Sequence, residues 1–222
     1  MTDYSICCDF DGTISIPDAC DFLLQRYAPP EWKELDDAVW SGRLTEREAF
    51  PRQIGLLNVT WEDACAAMDK GVIIRDGFAE FIAFCRRNNL PFMILSGGLR
   101  PLIETLLARA GVPDVPVISH TAQIDGRRWK AVLWDGKRHA EHCSHCKCSY
   151  VLAERAAGKK LVYIGDGYTD LCPAQHADIL FATGNLAREC LKSGRPFIPY
   201  ETFYDIEHAL GNIIQTEQDL RR

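Results

Sequence analysis

The pattern of apolar and polar residues changes character twice along the chain. Residues 4–10, "YSICCDF", form a short apolar run that ends at Asp9, as a buried strand would. From 18 to 71 the apolar residues instead recur at helical spacing. "DACDFLLQRYA" starts at Asp18, an N-cap candidate, and stops before Pro29 and Pro30. "PEWKELDDAVWSG" runs from Pro30 to Gly42, and "TWEDACAAMDKG" from Thr60 to Gly71. Between them, "LTEREAFPRQIGLL" places Thr45 and Glu48 at capping-box spacing and carries Pro51 as a predicted kink. Glu46, Arg47 and Glu48 read as the solvated face of that helix. Four helices without an intervening strand predict a helical insert.

Beyond residue 74 helix and strand alternate, the pattern of a parallel sheet covered by helices. A helix over 74–89 leads to the strand "PFMILS", a helix from Gly97 to Val112, and the strand "VPVIS". "TAQIDGRRWKAVLW" predicts a hairpin turning at Asp125–Gly126. Then come a helix over 149–160, the strand "LVYIG", a helix over 169–177, the strand "DILFAT" and a last helix over 204–218. The fold class is therefore α/β, with a sheet domain over 1–14 and 75–222 and a helical cap over 15–74.

Three strands end in polar clusters: Asp9 with Asp11, Ser96 with Gly97 and Gly98, and Asp166 with Asp170. In an open parallel sheet the carboxyl ends of the strands share one edge, and ligands bind there. Like charges as close as Asp9 and Asp11 repel, so a fold that keeps both has a cation or a reaction to hold them. A phosphoryl-transfer site needs a nucleophile, a cation, oxygen-binding donors and an acid or base. Asp9 can be the nucleophile. Asp11, to one side, can exchange a proton with the leaving oxygen and then with water. Asp166 and Asp170 suit magnesium, a hard cation. Gly12 allows close backbone approach, Thr13 and Ser96 offer hydroxyls, the amides near Gly97 open a helix, and Lys147 adds a point positive charge.

Composition narrows the partners. The chain has 222 residues, 47% hydrophobic and 25% charged, enough for one substantial core. A net charge of -6 gives no basic footprint for nucleic acid. No apolar run reaches the roughly 20 residues of a membrane helix. An early acid and no basic N-terminal segment predict no signal peptide, hence a cytoplasmic protein with reduced cysteines. A helical cap is compatible with a monomer or a homodimer. His139, His142, Cys143, His145, Cys146 and Cys148 cluster, and Cys143 with Cys146 forms a CxxC. Zinc is one reading, but a closed site needs two further ligands from this group. A loop that places Lys147, with the thiols packed inside, is the reading favoured by ligand count.

"DFDGTI", "ILSGG", a later lysine and "IGDGYTD" together resemble the haloacid dehalogenase superfamily of aspartate-nucleophile phosphatases, in its phosphoserine phosphatase-like subfamily. The resemblance implies a Rossmannoid three-layer sandwich with a small helical cap after the first motif. It implies that Asp9 is phosphorylated, that Asp11 is acid and base with its carbonyl on magnesium, that Ser96 and Lys147 bind phosphate, and that Asp166 holds magnesium with Asp170 in support. "YAPPEWKELDDAVWSG", "HCSHCKCS", "IGDGYTDLCPAQHAD" and "PYETFYDIEHAL" further resemble the subgroup acting on hydroxy-keto-methylthiopentenyl phosphate in methionine salvage. The implied partner is a small phosphorylated metabolite.

Phosphoserine phosphatases themselves are the rival within the family. They place a cap arginine three residues before a Leu-Leu pair. Here that position before Leu56–Leu57 is Gln53, with Arg52 one residue earlier, and Thr169 replaces an asparagine in the fourth motif. Asp18 does match their cap-hinge acid. Asp18, Arg52 and Gln53 are thus the cap's substrate candidates. A non-catalytic phosphate or metal binder and a phosphotransferase remain the alternatives of other classes.

Overall fold

Every side chain of the first strand, β1 (Tyr4–Cys8), is buried, and successive residues face opposite ways: Tyr4, Ile6 and Cys8 enter one hydrophobic cluster, Cys7 another. That period-2 alternation with both faces covered is what a central parallel strand requires. The computed structural model describes residues 3–136 and 147–220. His139, His142, Cys143, His145 and Cys146 lie outside the described residues, so the two readings of their cluster stay as they were.

After β1 come β2 (Ser15–Ile16), α1 (Ala19–Tyr27), α2 (Glu31–Trp40), α3 (Glu46–Gly55), α4 (Trp61–Gly71) and β3 (Ile73–Ile74). Then follow α5 (Phe78–Arg87), β4 (Phe92–Leu99), α6 (Arg100–Arg109), β5 (Val117–Asp125), β6 (Arg128–Val132), α7 (Lys147–Ala156) and β7 (Lys160–Gly165). A 3-10 turn (Tyr168–Asp170), α8 (Leu171–Ala174), β8 (Ile179–Ala182), α9 (Gly184–Ser193), β9 (Ile198–Pro199) and α10 (Phe203–Asp219) complete the described chain. The sheet order is β6-β5-β4-β1-β7-β8-β9, parallel except between β5 and β6. Helices α5, α6 and α10 cover one face, and α7, α8 and α9 the other. This is the α/β sandwich that the alternating pattern predicts.

Three elements differ from expectation. The strand through Ser96 continues to Leu99 and α6 begins only at Arg100, because Pro101 is suited to the first helical turn and Gly97–Gly98 to extended backbone. Gly97 and Gly98 therefore do not open a helix. The segments expected as a strand and half a hairpin are one strand, β5, which pairs parallel with β4 and then antiparallel with β6; no glycine or proline interrupts it. Helix α9, which buries Leu186 and Cys190, has no counterpart among the predicted elements.

The helices α1–α4 form between β2 and β3, which pair with each other. Thr45 and Glu48 make the capping box of α3, and Pro51 lies inside that helix. These helices share one hydrophobic cluster with α5, α6 and α10. They are also fastened to the β5–β6 hairpin. Trp129 of β6 is 4% exposed, donates its indole N–H to the Val59 carbonyl at 2.8 Å, and lies 6.0 Å from the Trp61 ring. Arg127 donates to the Asn58 side chain and carbonyl. Trp129→Ala removes both the indole packing and the hydrogen bond, and should destabilise the protein by about 3–5 kcal/mol in urea unfolding followed by circular dichroism. A loss under about 1 kcal/mol would show that this contact does not hold the helices down.

Candidate active site

Asp9 follows β1 directly, and its amide bonds the Ile164 carbonyl of β7 at 2.9 Å. The chain then folds back on itself. The amides of Thr13, Ile14 and Ser15 all reach the Phe10 carbonyl, at 3.3, 2.7 and 2.9 Å. Gly12 has φ +79°, and a Cβ there would collide with the Asp166 carboxylate, so glycine alone fits. Arg75, just after β3, clamps this loop: Nη2 donates to the Gly12 carbonyl and Nε to the Thr13 carbonyl, both at 2.7 Å. Its third nitrogen, Nη1, donates to the Glu201 carbonyl at 2.9 Å. Nothing in the sequence marks Arg75, because all three partners are backbone carbonyls.

Lys147 opens α7 and is 3% exposed. Its Nζ lies 2.6 Å from Asp9 Oδ2, 2.8 Å from Asp170 Oδ1 and 3.2 Å from Thr169 Oγ1. Asp170 is wholly buried, and four donors saturate it. Lys147 and Tyr163 Oη reach Oδ1, at 2.8 and 2.6 Å, and the amides of Asp166 and Gly167 reach Oδ2, each at 3.0 Å. Thr13, expected beside phosphate, is fully buried and donates to Asp166 Oδ1 at 2.8 Å. Asp11 points elsewhere. Its Oδ1 accepts the Ala19 amide at 3.0 Å and its Oδ2 accepts the Ser96 hydroxyl at 3.2 Å. Ser96 in turn accepts the Gly98 amide at 2.9 Å.

Charge does not balance in this cluster. Burial alone would discharge Lys147, but Asp170 and Asp9 outweigh it and push its pKa well up. Asp170 is likewise held low: Lys147 and its hydrogen bonds overcome burial. Lys147 is shared between Asp170 and Asp9, so this one ammonium faces three carboxylates, those of Asp9, Asp166 and Asp170. Burial first, then Asp170, raises Asp9 well above the ordinary carboxyl range and Asp166 to about 6. Burial also raises Asp11, against its three hydrogen bonds.

Among the described residues, Asp9, Asp166 and Asp170 each offer an oxygen within 4.8 Å of the others. The saturated Asp170 is suited to support rather than direct ligation. Three carboxylates against one ammonium leave two negative charges in excess, which one divalent cation would balance, and hard oxygens are its natural donors. The donor set thus fits such an ion. The Asp11 carboxylate is not in this group.

The cap candidates fall in different places. Asp18 caps α1 by accepting the Asp21 amide at 2.9 Å. Burial, then Asp11, raises its pKa. Arg52 is exposed. Gln53 is buried and ties α3 to α2, donating to Asp36 Oδ1 at 3.2 Å and to the Trp32 carbonyl at 3.5 Å. Glu48 is exposed, as a solvated face requires. Glu46 and Arg47 are not: both are half-buried, and a methyl group at Gly97 would lie 3.7 Å from Glu46 Oε1. The amphipathic pattern of α3 could not show that its first turn faces the end of β4.

A model of the haloacid dehalogenase-like hydrolases matches residues 6–175. The chain belongs to this family. It is similar to the 2-hydroxy-3-keto-5-methylthiopentenyl-1-phosphate phosphatase of Bacillus velezensis, 33% identical with 98% of this chain and 94% of the relative covered. The protein of that name from Brevibacillus brevis is 30% identical, covering 94% and 95%. A substrate-bound phosphoserine phosphatase structure shares the family fold at TM-score 0.67 and 15% identity, covering 93% of this chain and 97% of that one. In family terms, the clamp by Arg75 fixes the first-motif loop. Arg75→Ala should lower stability by about 2–3 kcal/mol in chemical denaturation, and Arg75→Lys, which cannot reproduce the three-pronged fork, should recover less than half of it. Full stability in either variant would contradict the clamp.

Proposed function

We propose that this phosphatase is a magnesium-dependent phosphomonoester hydrolase working through an aspartyl-phosphate. We further propose that its substrate is 2-hydroxy-3-keto-5-methylthiopentenyl 1-phosphate or a close relative. The observation that carries the reading is the separation of the two carboxylates of the first motif. Asp9 Oδ2 sits against Lys147 at 2.6 Å, beside Asp166 and Asp170, while Asp11 is turned aside and held by Ser96, Ala19 and Ser15. That separation supports Asp9 as the attacking group and Asp11 as the group that moves a proton.

Asp9 and Asp166 would hold the ion, which when bound neutralises charge on the phosphoryl oxygens. Asp9 attacks phosphorus, and the bond to the leaving oxygen breaks as Asp11 gives that oxygen its proton; burial favours the protonated Asp11 that this step needs. Asp11, now ionised, takes a proton from water as water attacks the phosphoaspartate, releasing phosphate and free Asp9. Lys147 remains charged throughout and stabilises the phosphoryl oxygens beside Asp9. The substrate assignment is supported by near full-length similarity to the two relatives. It is supported too by Gln53, which is engaged inside the cap rather than offering a cation as in phosphoserine phosphatases.

Asp9→Asn should keep its far-ultraviolet circular dichroism while turnover falls at least about a thousandfold. Turnover within tenfold of the unaltered enzyme would reject Asp9 as nucleophile. Metal linkage gives a second test. A carboxyl raised from 3.8 to about 6, as Asp166 is, adds stability to the metal-free protein that is complete below 3.8 and lost as pH rises through 6. Ligation needs the ionised form. The melting temperature gained on adding magnesium should therefore be larger at pH 7 than at pH 5; an equal or smaller gain at pH 7 would contradict ligation by these carboxylates.

A further inference from the structure

Arg47 is a poor choice for stability where it stands. It occupies the first turn of α3, where the helix dipole is unfavourable to a cation. Its Nη1 is buried and has no hydrogen-bond acceptor. A buried charged donor left in this way is among the costlier defects a fold can carry. The neighbouring acids do not relieve it. Glu48 closes the capping box with Thr45, and Glu46 turns toward Gly97. Residues that break a local rule without a structural gain point to ligands.

Their surroundings say where the ligand lies. Arg47 and Phe50 share a face of α3, and the Phe50 ring meets His120 of β5 at 5.2 Å. His120 is paired in register with Leu99, at the end of β4. Its Nδ1 accepts the Trp134 amide at 2.9 Å, and burial, then Arg47, lowers its pKa to about 4, so the ring beside Arg47 is neutral. Glu46 stands at Gly97, next to Ser96, whose hydroxyl bonds Asp11. Glu46 and the Arg47–Phe50 face thus lie beyond Asp11, on the side opposite Lys147 and Asp166. If Asp11 protonates the leaving oxygen, the leaving group lies on that side.

We infer that Glu46 and Arg47 are specificity-determining residues that read polar oxygens on the leaving group, with Arg47 donating to an acceptor oxygen and Glu46 accepting from a hydroxyl or ammonium. This rests on the phosphatase reading above and extends it. The acceptor oxygen could belong to a keto or enolate group or to a carboxylate; the shared chemistry is an oxygen that carries negative charge, two or more bonds removed from the phosphate ester.

The test compares three esters. Two carry such oxygens, the hydroxy-keto enol phosphate named for the relatives and O-phosphoserine; the third, phenyl phosphate, has none. KM and kcat are measured for the unaltered enzyme, Arg47→Met, Arg47→Lys and Glu46→Gln. Arg47→Met should shift the kcat/KM ratio of the preferred oxygenated ester to phenyl phosphate by at least about tenfold, mainly through KM, with Arg47→Lys intermediate. The ester whose ratio shifts identifies the acceptor, keto or enolate against carboxylate. A ratio unchanged within twofold in the Met and Lys variants, even if all rates fall together, overturns the assignment and leaves Arg47 a cap-shaping residue. Absence of turnover of all three esters by the unaltered enzyme would instead sink the phosphatase reading, and this inference with it.

Discussion

The site is governed by a charge imbalance that the polypeptide creates and cannot itself resolve. Lys147 and Asp170 form a buried pair, each holding the other ionised. Asp9, also against Lys147, and Asp166 share the same low-dielectric space, so one ammonium faces three carboxylates. Removing ions from water is expensive, and like charges add to that cost. A fold retains such an arrangement when a ligand supplies the missing charge. A divalent ion would balance the two charges in excess, and the charge spread over the oxygens of a phosphoryl group in transit would then meet a neutral rather than a negative site.

The fold makes this imbalance possible by bringing the ends of β1, β4 and β7 to one edge of a parallel sheet. Register fixes the Asp9 side: Cys8 pairs with Ile164, so the residue after each strand end is an acid loop facing the other. The loops are then locked by contacts within the protein. Arg75 holds two carbonyls of the first loop, and Asp170, saturated by four donors, holds the amides of the third. Helix α3 completes the edge from above, with Glu46 over Gly97, while the hairpin β5–β6 fastens the loop that follows it.

Much of this was legible in the sequence. Asp9, Asp11, Ser96 and Asp166 each follow an apolar run, and a strand that ends in an acid or a glycine pair is conspicuous. Gly12 was legible as a close-approach glycine, though the group it approaches is Asp166. What stayed hidden is what depends on partners rather than on pattern. Arg75 binds carbonyls, which leave no trace in side-chain spacing. Tyr163 looks like any core residue of a buried strand until its hydroxyl is seen on Asp170. Glu46 and Arg47 sit on the polar side of an amphipathic helix, and only the tertiary arrangement shows that this side faces the end of β4. Gln53 illustrates the converse: a substrate candidate by spacing, it is a tie between α2 and α3.

The uncompensated charge is the claim on which the rest depends, and proton release on metal binding measures it most directly. Magnesium is titrated calorimetrically into the metal-free protein at pH 6 in buffers of differing ionisation enthalpy, which yields the number of protons displaced. Because Asp166 is held at about 6 and burial raises Asp9 well above the ordinary carboxyl range, binding should release protons, about half of one per ion from Asp166 alone. Binding with no proton released, or no binding at all, would mean that the two carboxylates are not the ion's ligands.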